Sequence, residues 1–169
     1  GKICLDNNQF KIANKAFKYI LNLNQENEFF YEAEQLNLKS NFLKITKSRS
    51  YTEEEIALCI KDYEQVLSKY SKNRRTLPLI IELAHIKSYY ANLEQDAMSL
   101  LKDALNIKYL TDIQKAKIKV KLADIHVLKG DIWEASLLYM QVENNFKFEQ
   151  IGEESKFKNA QIFYFNGEF

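Results

Sequence analysis

The residues with the types for metal, nucleophilic or acid–base chemistry are few: His85, His126, Cys4, Cys59 and two short carboxylate runs, at 53–55 and 153–154. A zinc site on a helix needs ligands three or four residues apart. Neither histidine has a Cys or a second His at that distance, so no metal is expected. His126 is expected in or near a core, and His85 near an exposed face. Two cysteines are too few for a disulfide framework and lack metal-ligand spacing, so both read as small buried hydrophobes. Glu53, Glu54 and Glu55, and likewise Glu153 and Glu154, read as acidic helix starts that answer the helix dipole. A glycosidase pair would need carboxylates across a cleft. Arg74-Arg75 precedes a helix and reads as a solvated loop, with a grip on an acidic peptide as the functional alternative. Tyr89-Tyr90 follows core spacing. Trp133 either packs on an adjoining hairpin or offers a partner an aromatic anchor. The chain has no Gly-rich phosphate loop and no activated Ser or Cys arrangement. No catalytic residue and no cofactor are expected, and the chain is read as not an enzyme.

Composition narrows the class further. A chain of 169 residues with 46% hydrophobic residues can bury a sizeable core and is not a disordered segment. One Pro and four Gly leave few helix breakers. Lys and Arg number 24 against 23 Asp and Glu, a net charge of +1. A nucleic-acid binder usually carries a basic excess or stripe, so no nucleic-acid partner is expected. Only Arg49, Arg74 and Arg75 are arginines, which supplies planar phosphate recognition poorly. No run of apolar residues is long enough to span a bilayer, and Gly1-Lys2-Ile3-Cys4 is not a signal peptide. The compartment stays open between the cytoplasm and a bacterial cell envelope.

Apolar positions recur at three- and four-residue steps along nearly the whole length. They predict eight helices, at about 8–24, 27–47, 52–71, 76–91, 93–108, 111–129, 131–147 and 150–166. Thr52 with Glu55 resembles a capping box, Thr76 with Pro78 and Thr111-Asp112 read as helix starts, and Gly130 and Gly167 fall where helices end. An internal register ties these helices together. Ala13, Cys59, Ala97 and Ala135 are followed four residues later by Phe17, Tyr63, Leu101 and Tyr139, and seven later by Ile20, Val66, Ala104 and Val142. The small residues lie 46, 38 and 38 apart, the first interval enlarged by a longer loop at 47–51. Ala160 and Gly167 repeat Ala123 and Gly130 at a spacing of 37. A helical hairpin cannot bury both its faces alone, so a recurring hairpin implies stacked neighbours.

Leu122-Ala123, Gly130-Asp131-Ile132, Ala135, Tyr139 and Val142 resemble the tetratricopeptide repeat family. That family places a large and a small residue in helix A, Gly-Asp-aromatic at the turn, and Ala, aromatic, Ala in helix B. Ala160 to Phe163 and Gly167 repeat the match, and Leu21 to Gln25 resembles a helix B ending, with Gln25 where Pro is common. The likeness covers essentially the whole chain, most fully in its last two units. These units also resemble large repeat proteins of Bacteroidetes bacteria. The period is about 38 rather than the family's 34, terminal Pro is absent from every unit, and Lys119 replaces a bulky helix A residue.

The resemblance implies an all-α fold, an alpha-alpha superhelix of about eight antiparallel helices in a single domain over 1–169. Its units are approximately 1–26, 27–73, 74–110, 111–148 and a partial 149–169, and both ends fall inside repeats, as in a fragment of a longer bacterial protein. Helix A side chains would line a concave groove for a peptide or partner helix. By register the groove residues are Lys117, Val120, Asp124 and Val127 in one unit and Glu154, Phe157, Gln161 and Tyr164 in the last. In the third unit they are His85 and Ser88. Asp124 stands where a clamp for a C-terminal carboxylate would want Asn. The implied function is a non-enzymatic protein–protein interaction scaffold; the alternative is a regulatory or sensory module that controls an attached domain or binds a signalling peptide. The apolar final helix is expected to self-associate or to pack on a neighbouring copy.

Overall fold

A computed structural model of the chain describes residues 1–23, 26–47, 51–165 and 167. Gln25, residues 48–50 of the longer loop and Glu168-Phe169 lie outside them. The described residues form nine α-helices and no strand: α1 (Lys2–Asp6), α2 (Phe10–Leu21), α3 (Phe30–Lys47), α4 (Glu53–Tyr70), α5 (Leu77–Tyr90), α6 (Glu94–Leu105), α7 (Asp112–Lys129), α8 (Ile132–Asn145) and α9 (Gln150–Phe165). The fold is all-α, as the periodicity predicts. The extra element is α1, which precedes the first expected helix at about 8–24. The helices gather into two compact units, Gly1–Tyr70 and Ser71–Phe169.

In the first unit Ala13 and Phe17 of α2 pack with Leu5 of α1 and Ala33 of α3. Helix α4 buries Ile56, Cys59, Ile60, Tyr63, Val66 and Leu67 on one side. Its start is the expected capping box. The Glu55 amide donates to Thr52 Oγ1 at 3.2 Å, and the Thr52 amide donates to the Glu55 carboxylate at 3.0 Å. Cys59 is buried and Cys4 half-buried, both as free thiols.

In the second unit α5–α6 and α7–α8 are antiparallel hairpins, and α9 packs along α8 and touches α7. Helix α7 shows how sequence sets its ends. Thr111 and Gln114 exchange a complete capping box. Gly130 ends the helix at φ 82, and the amides of Gly130 and Asp131 return to the carbonyls of Val127 and His126 at 3.0 and 2.9 Å. A side chain at that left-handed φ is strained, which is why glycine serves there. Thr76 departs from expectation. It is buried and does not cap α5; its hydroxyl accepts the Asn73 amide at 2.9 Å and donates to the Ser71 carbonyl at 2.9 Å. Thr76 thus fixes the turn before the helix.

The repeating register is the packing register. Ala13, Ala97 and Ala135 are fully buried and Cys59 nearly so; Phe17, Tyr63, Leu101 and Tyr139 are buried, as are Val66, Ala104 and Val142. Ile20 alone of the twelve is half-buried. Small residues let helix backbones approach, and the large residue one turn on fills the space beside the crossing.

At the α8–α9 corner a Cβ on Gly152 would stand 1.9 Å from the Phe146 carbonyl oxygen, which is backbone and cannot step aside. Gly→Ala inside a helix ordinarily stabilises by about 0.5–1 kcal/mol. Gly152→Ala is expected to reverse that sign and cost about 1–3 kcal/mol, read as a fall in the urea midpoint. A midpoint that rises would show that the corner is not so tightly closed.

Candidate functional site

The candidate site is the face of the second unit shared by α5, α7 and α9, and it is built around Asp124. The Asp124 side chain is 13% exposed. Its Oδ1 accepts from the Tyr139 hydroxyl of α8 at 2.7 Å and from Lys158 Nζ of α9 at 2.8 Å. Its Oδ2 accepts from Lys121 Nζ, one turn earlier on α7, at 3.1 Å. Lys158 also pairs with Glu154 at 3.2 Å. The result is a ladder of alternating charge, Lys121–Asp124–Lys158–Glu154, running from α7 to α9.

Charge and burial compete in this ladder. Burial pushes the Asp124 carboxyl up, but hydrogen bonds from Lys158 and Tyr139 and the charges of both lysines outweigh it and hold it below the usual carboxylate range. Burial lowers Lys158, and the Asp124 and Glu154 carboxylates overcome that and raise it. Burial and the Asp124 charge push the Tyr139 hydroxyl well above the usual phenol range. His85 of α5 is lowered by burial and then by Lys121, against a smaller pull from Asp124. Its ring rests 4.7 Å from that of Tyr89, and burial and the Asp124 charge raise the Tyr89 hydroxyl. Burial and the Lys121 charge thus disfavour the charged form of the His85 ring.

Beside the ladder lies an open cleft of about 490 Å³. Ile81, Ile113, Val120 and Ile151 give it an aliphatic lining from three helices; Lys117 and Lys121 charge its α7 side, and Glu149 and Glu154 charge the start of α9.

The groove residues expected from sequence thus separate into groups. Lys117, Val120 and Glu154 come together in the cleft, with Val120 nearly buried as part of its floor. Asp124 and His85 sit beside it, half-buried. Val127 is half-buried against the core of α7, α8 and α9. Ser88 is 1% exposed and donates its hydroxyl to the Ala84 carbonyl at 2.8 Å, so it gives a partner no surface. The reason is that Ser88 lies on the face of α5 that carries Ala84, which is itself buried. Gln161 and Tyr164 are exposed but do not line the cleft. Phe157 lines a different depression, with Glu143, Lys147, Lys156 and Ala160.

Sequence reasoning missed Lys121, Lys158, Tyr139 and the isoleucines of the cleft. A signal existed for the lysines, because Lys121 and Lys158 stand 37 apart, the same interval as Ala123 and Ala160. Tyr139 reads as core, and its polar end becomes visible only when Asp124 is beside it. His126 is half-buried as expected, with Nδ1 3.2 Å from Asp131 Oδ2. Trp133 is 70% exposed and touches the Phe163 ring edge-on with centroids 6.0 Å apart, so it packs on α9 and still faces water.

Among the described residues no three His, Cys, Asp or Glu side chains gather as a metal site, and no helix is long and apolar enough to cross a membrane. No protein-family model, curated protein or solved structure matches the chain.

Replacing Asp124 by Asn leaves Lys158 half-buried beside a neutral group. A hydrogen bond to a charged partner contributes about 1.5–3 kcal/mol, and Asp124→Asn is expected to lower unfolding free energy by that amount at pH 7. The folded carboxyl titrates below its unfolded value of about 3.9. Its contribution is therefore full above that pH and fades as pH falls through the lower folded value. Urea melts of both forms from pH 7 down to pH 2.5 check this: the gap should hold to about pH 4 and then close. A gap that is absent at pH 7, or that widens on acidification, would mean that Asp124 is not held as a paired anion.

Proposed function

We propose that this chain is a non-enzymatic protein–protein interaction scaffold of tetratricopeptide type, and that the α5–α7–α9 cleft of its second unit holds an extended peptide or partner helix. The observation that carries the reading is the cleft itself. It has an aliphatic lining with lysines on one side and glutamates on the other, and neighbouring groups already tied to each other in the Asp124 ladder. Such a surface suits an aliphatic side chain of a peptide flanked by charges, with the apolar contact giving affinity and the charges giving register. Two groups that could serve as acid or base elsewhere are engaged here as structure: Asp124 accepts from three donors, and Tyr139 is held in its neutral form. The repeat reading draws support from the buried small–large–aliphatic register of α2, α4, α6 and α8.

Selection from a random-peptide display library tests the cleft. Enriched peptides are expected to carry an aliphatic residue beside charged ones. The double exchange Lys117→Glu with Glu154→Lys, at two exposed positions, should weaken them by about tenfold. Failure to enrich any peptide, or equal binding by the exchanged form, would remove the cleft as the binding site.

The same scaffold is proposed to self-associate through α9. Val120 is 4% exposed, whereas Phe157, its equivalent 37 residues on, is 63% exposed, and Tyr164 and Phe165 are exposed as well. Adjacent exposed aromatics of this kind favour covering by a second copy. Sedimentation velocity should show a concentration-dependent rise in mass that Phe157→Lys suppresses; a monomer at all concentrations would end this part of the proposal.

A further inference from the structure

A second surface of the Ser71–Phe169 unit shares no lining residue with the cleft. It is a depression of about 560 Å³ lined by Asn73, Arg74, Arg75, Lys108, Tyr109 and Gln114. It gathers two of the chain's three arginines and a lysine from a different loop, and no carboxylate lines it.

The two loops that carry these cations are built firmly. Asn73 Oδ1 accepts the amides of Arg75 at 2.8 Å and Thr76 at 3.3 Å, and the buried Thr76 hydroxyl ties the turn from inside. Arg74 and Arg75 therefore leave a fixed turn. On the other wall Leu110 is buried and Thr111 caps α7, which leaves Tyr109 at φ 62 with 89% of its surface exposed. Gln114 Oε1 accepts from the Thr111 amide at 3.0 Å, so the remaining polar group of that side chain is its Nε2 donor. Asn73 Oδ1 is likewise occupied. The depression thus offers the Gln114 Nε2 donor and the charges of Arg74 and Lys108, with its side-chain amide acceptors already in use, which selects for an anion.

The kind of anion follows from how the charge is delivered. A phosphate site typically cradles the ligand in free backbone N–H groups. Here the amides of Asn73, Arg75 and Thr76 are all accepted by the loop's own side chains. The cations instead arrive on long stems from two loops, spread over the depression. That geometry suits several carboxylates along an extended chain, each taken by a guanidinium fork or an ammonium, with an exposed phenol ring to lie against the peptide. We propose that the depression lined by Arg74, Lys108 and Tyr109 binds an acidic peptide segment carrying two or more carboxylates.

Fluorescence anisotropy of the whole chain with a labelled peptide, four Glu residues between Gly-Ser flanks, tests this. A single-stranded oligonucleotide of equal charge is the comparison probe. Saturable peptide binding is expected, weakening several-fold between 50 and 200 mM salt. The double variant Arg74→Glu with Lys108→Glu should bind at least about tenfold more weakly, and Tyr109→Ala about threefold more weakly. All three side chains are exposed, so melting curves of the variants should overlay the wild type; Arg74→Gln serves as the milder form if the double variant melts early. No binding, or equal binding by Arg74→Glu with Lys108→Glu or by Arg74→Gln, would overturn the site. Tighter binding of the oligonucleotide than of the peptide would assign the depression to phosphate and overturn the acidic-peptide reading.

Discussion

Asp124 is a charge taken largely out of water, and such a charge is tolerated only when its oxygens are engaged by donors. Those donors come from different helices: Tyr139 from α8, Lys158 from α9 and Lys121 from α7 itself. Helix α9 cannot slide by a turn against α7 without parting Lys158 from Asp124, and α8 cannot do so without withdrawing the Tyr139 hydroxyl. A buried ion pair contributes little to net stability against a well-packed apolar alternative. Its effect here is on geometry, because it sets the mutual position of α7 and α9, whose side chains form two sides of the cleft.

The apolar packing explains why the helices can be that close at all. Ala123 of α7 and Ala135 of α8 are both fully buried within one core cluster, with Tyr139 filling the space one turn beyond. The same arrangement recurs at Ala97 with Leu101 and at Cys59 with Tyr63. One substitution separates the α7–α8 hairpin chemically from α5–α6. Where Leu101 is purely apolar, Tyr139 carries a hydroxyl, and that hydroxyl finds the carboxylate of Asp124. A core position thereby becomes the support of a polar ladder.

The fold was largely legible in the sequence because helices declare themselves through a single period and because small residues at crossings recur at fixed intervals. The capping box at Thr52, the helix start at Thr111 and the helix end at Gly130 were legible for the same local reason: each is decided within four residues. Thr76 was not, because its hydroxyl turns back to Ser71 and Asn73 rather than forward into α5. The site was legible in part. Register alone put Lys117, Val120 and Glu154 on one face, and the structure gathers them. It misplaced Ser88, which faces Ala84 and the core, and it grouped Phe157 with residues of the cleft although it lines another depression. Register gives a position along a helix, whereas the neighbour that covers it depends on how each hairpin rotates against the next.

The central claim is that one shared carboxylate fixes α7 against α9 and so shapes the cleft between them. A double-mutant cycle on Asp124 and Lys158, with Asp124→Asn, Lys158→Met and the pair measured by urea unfolding, tests it most directly. A coupling of at least about 1 kcal/mol at pH 7 is predicted, since contacting charged groups in one network couple by about 0.5–3 kcal/mol. Additivity within about 0.3 kcal/mol, the behaviour of independent sites, would contradict the account.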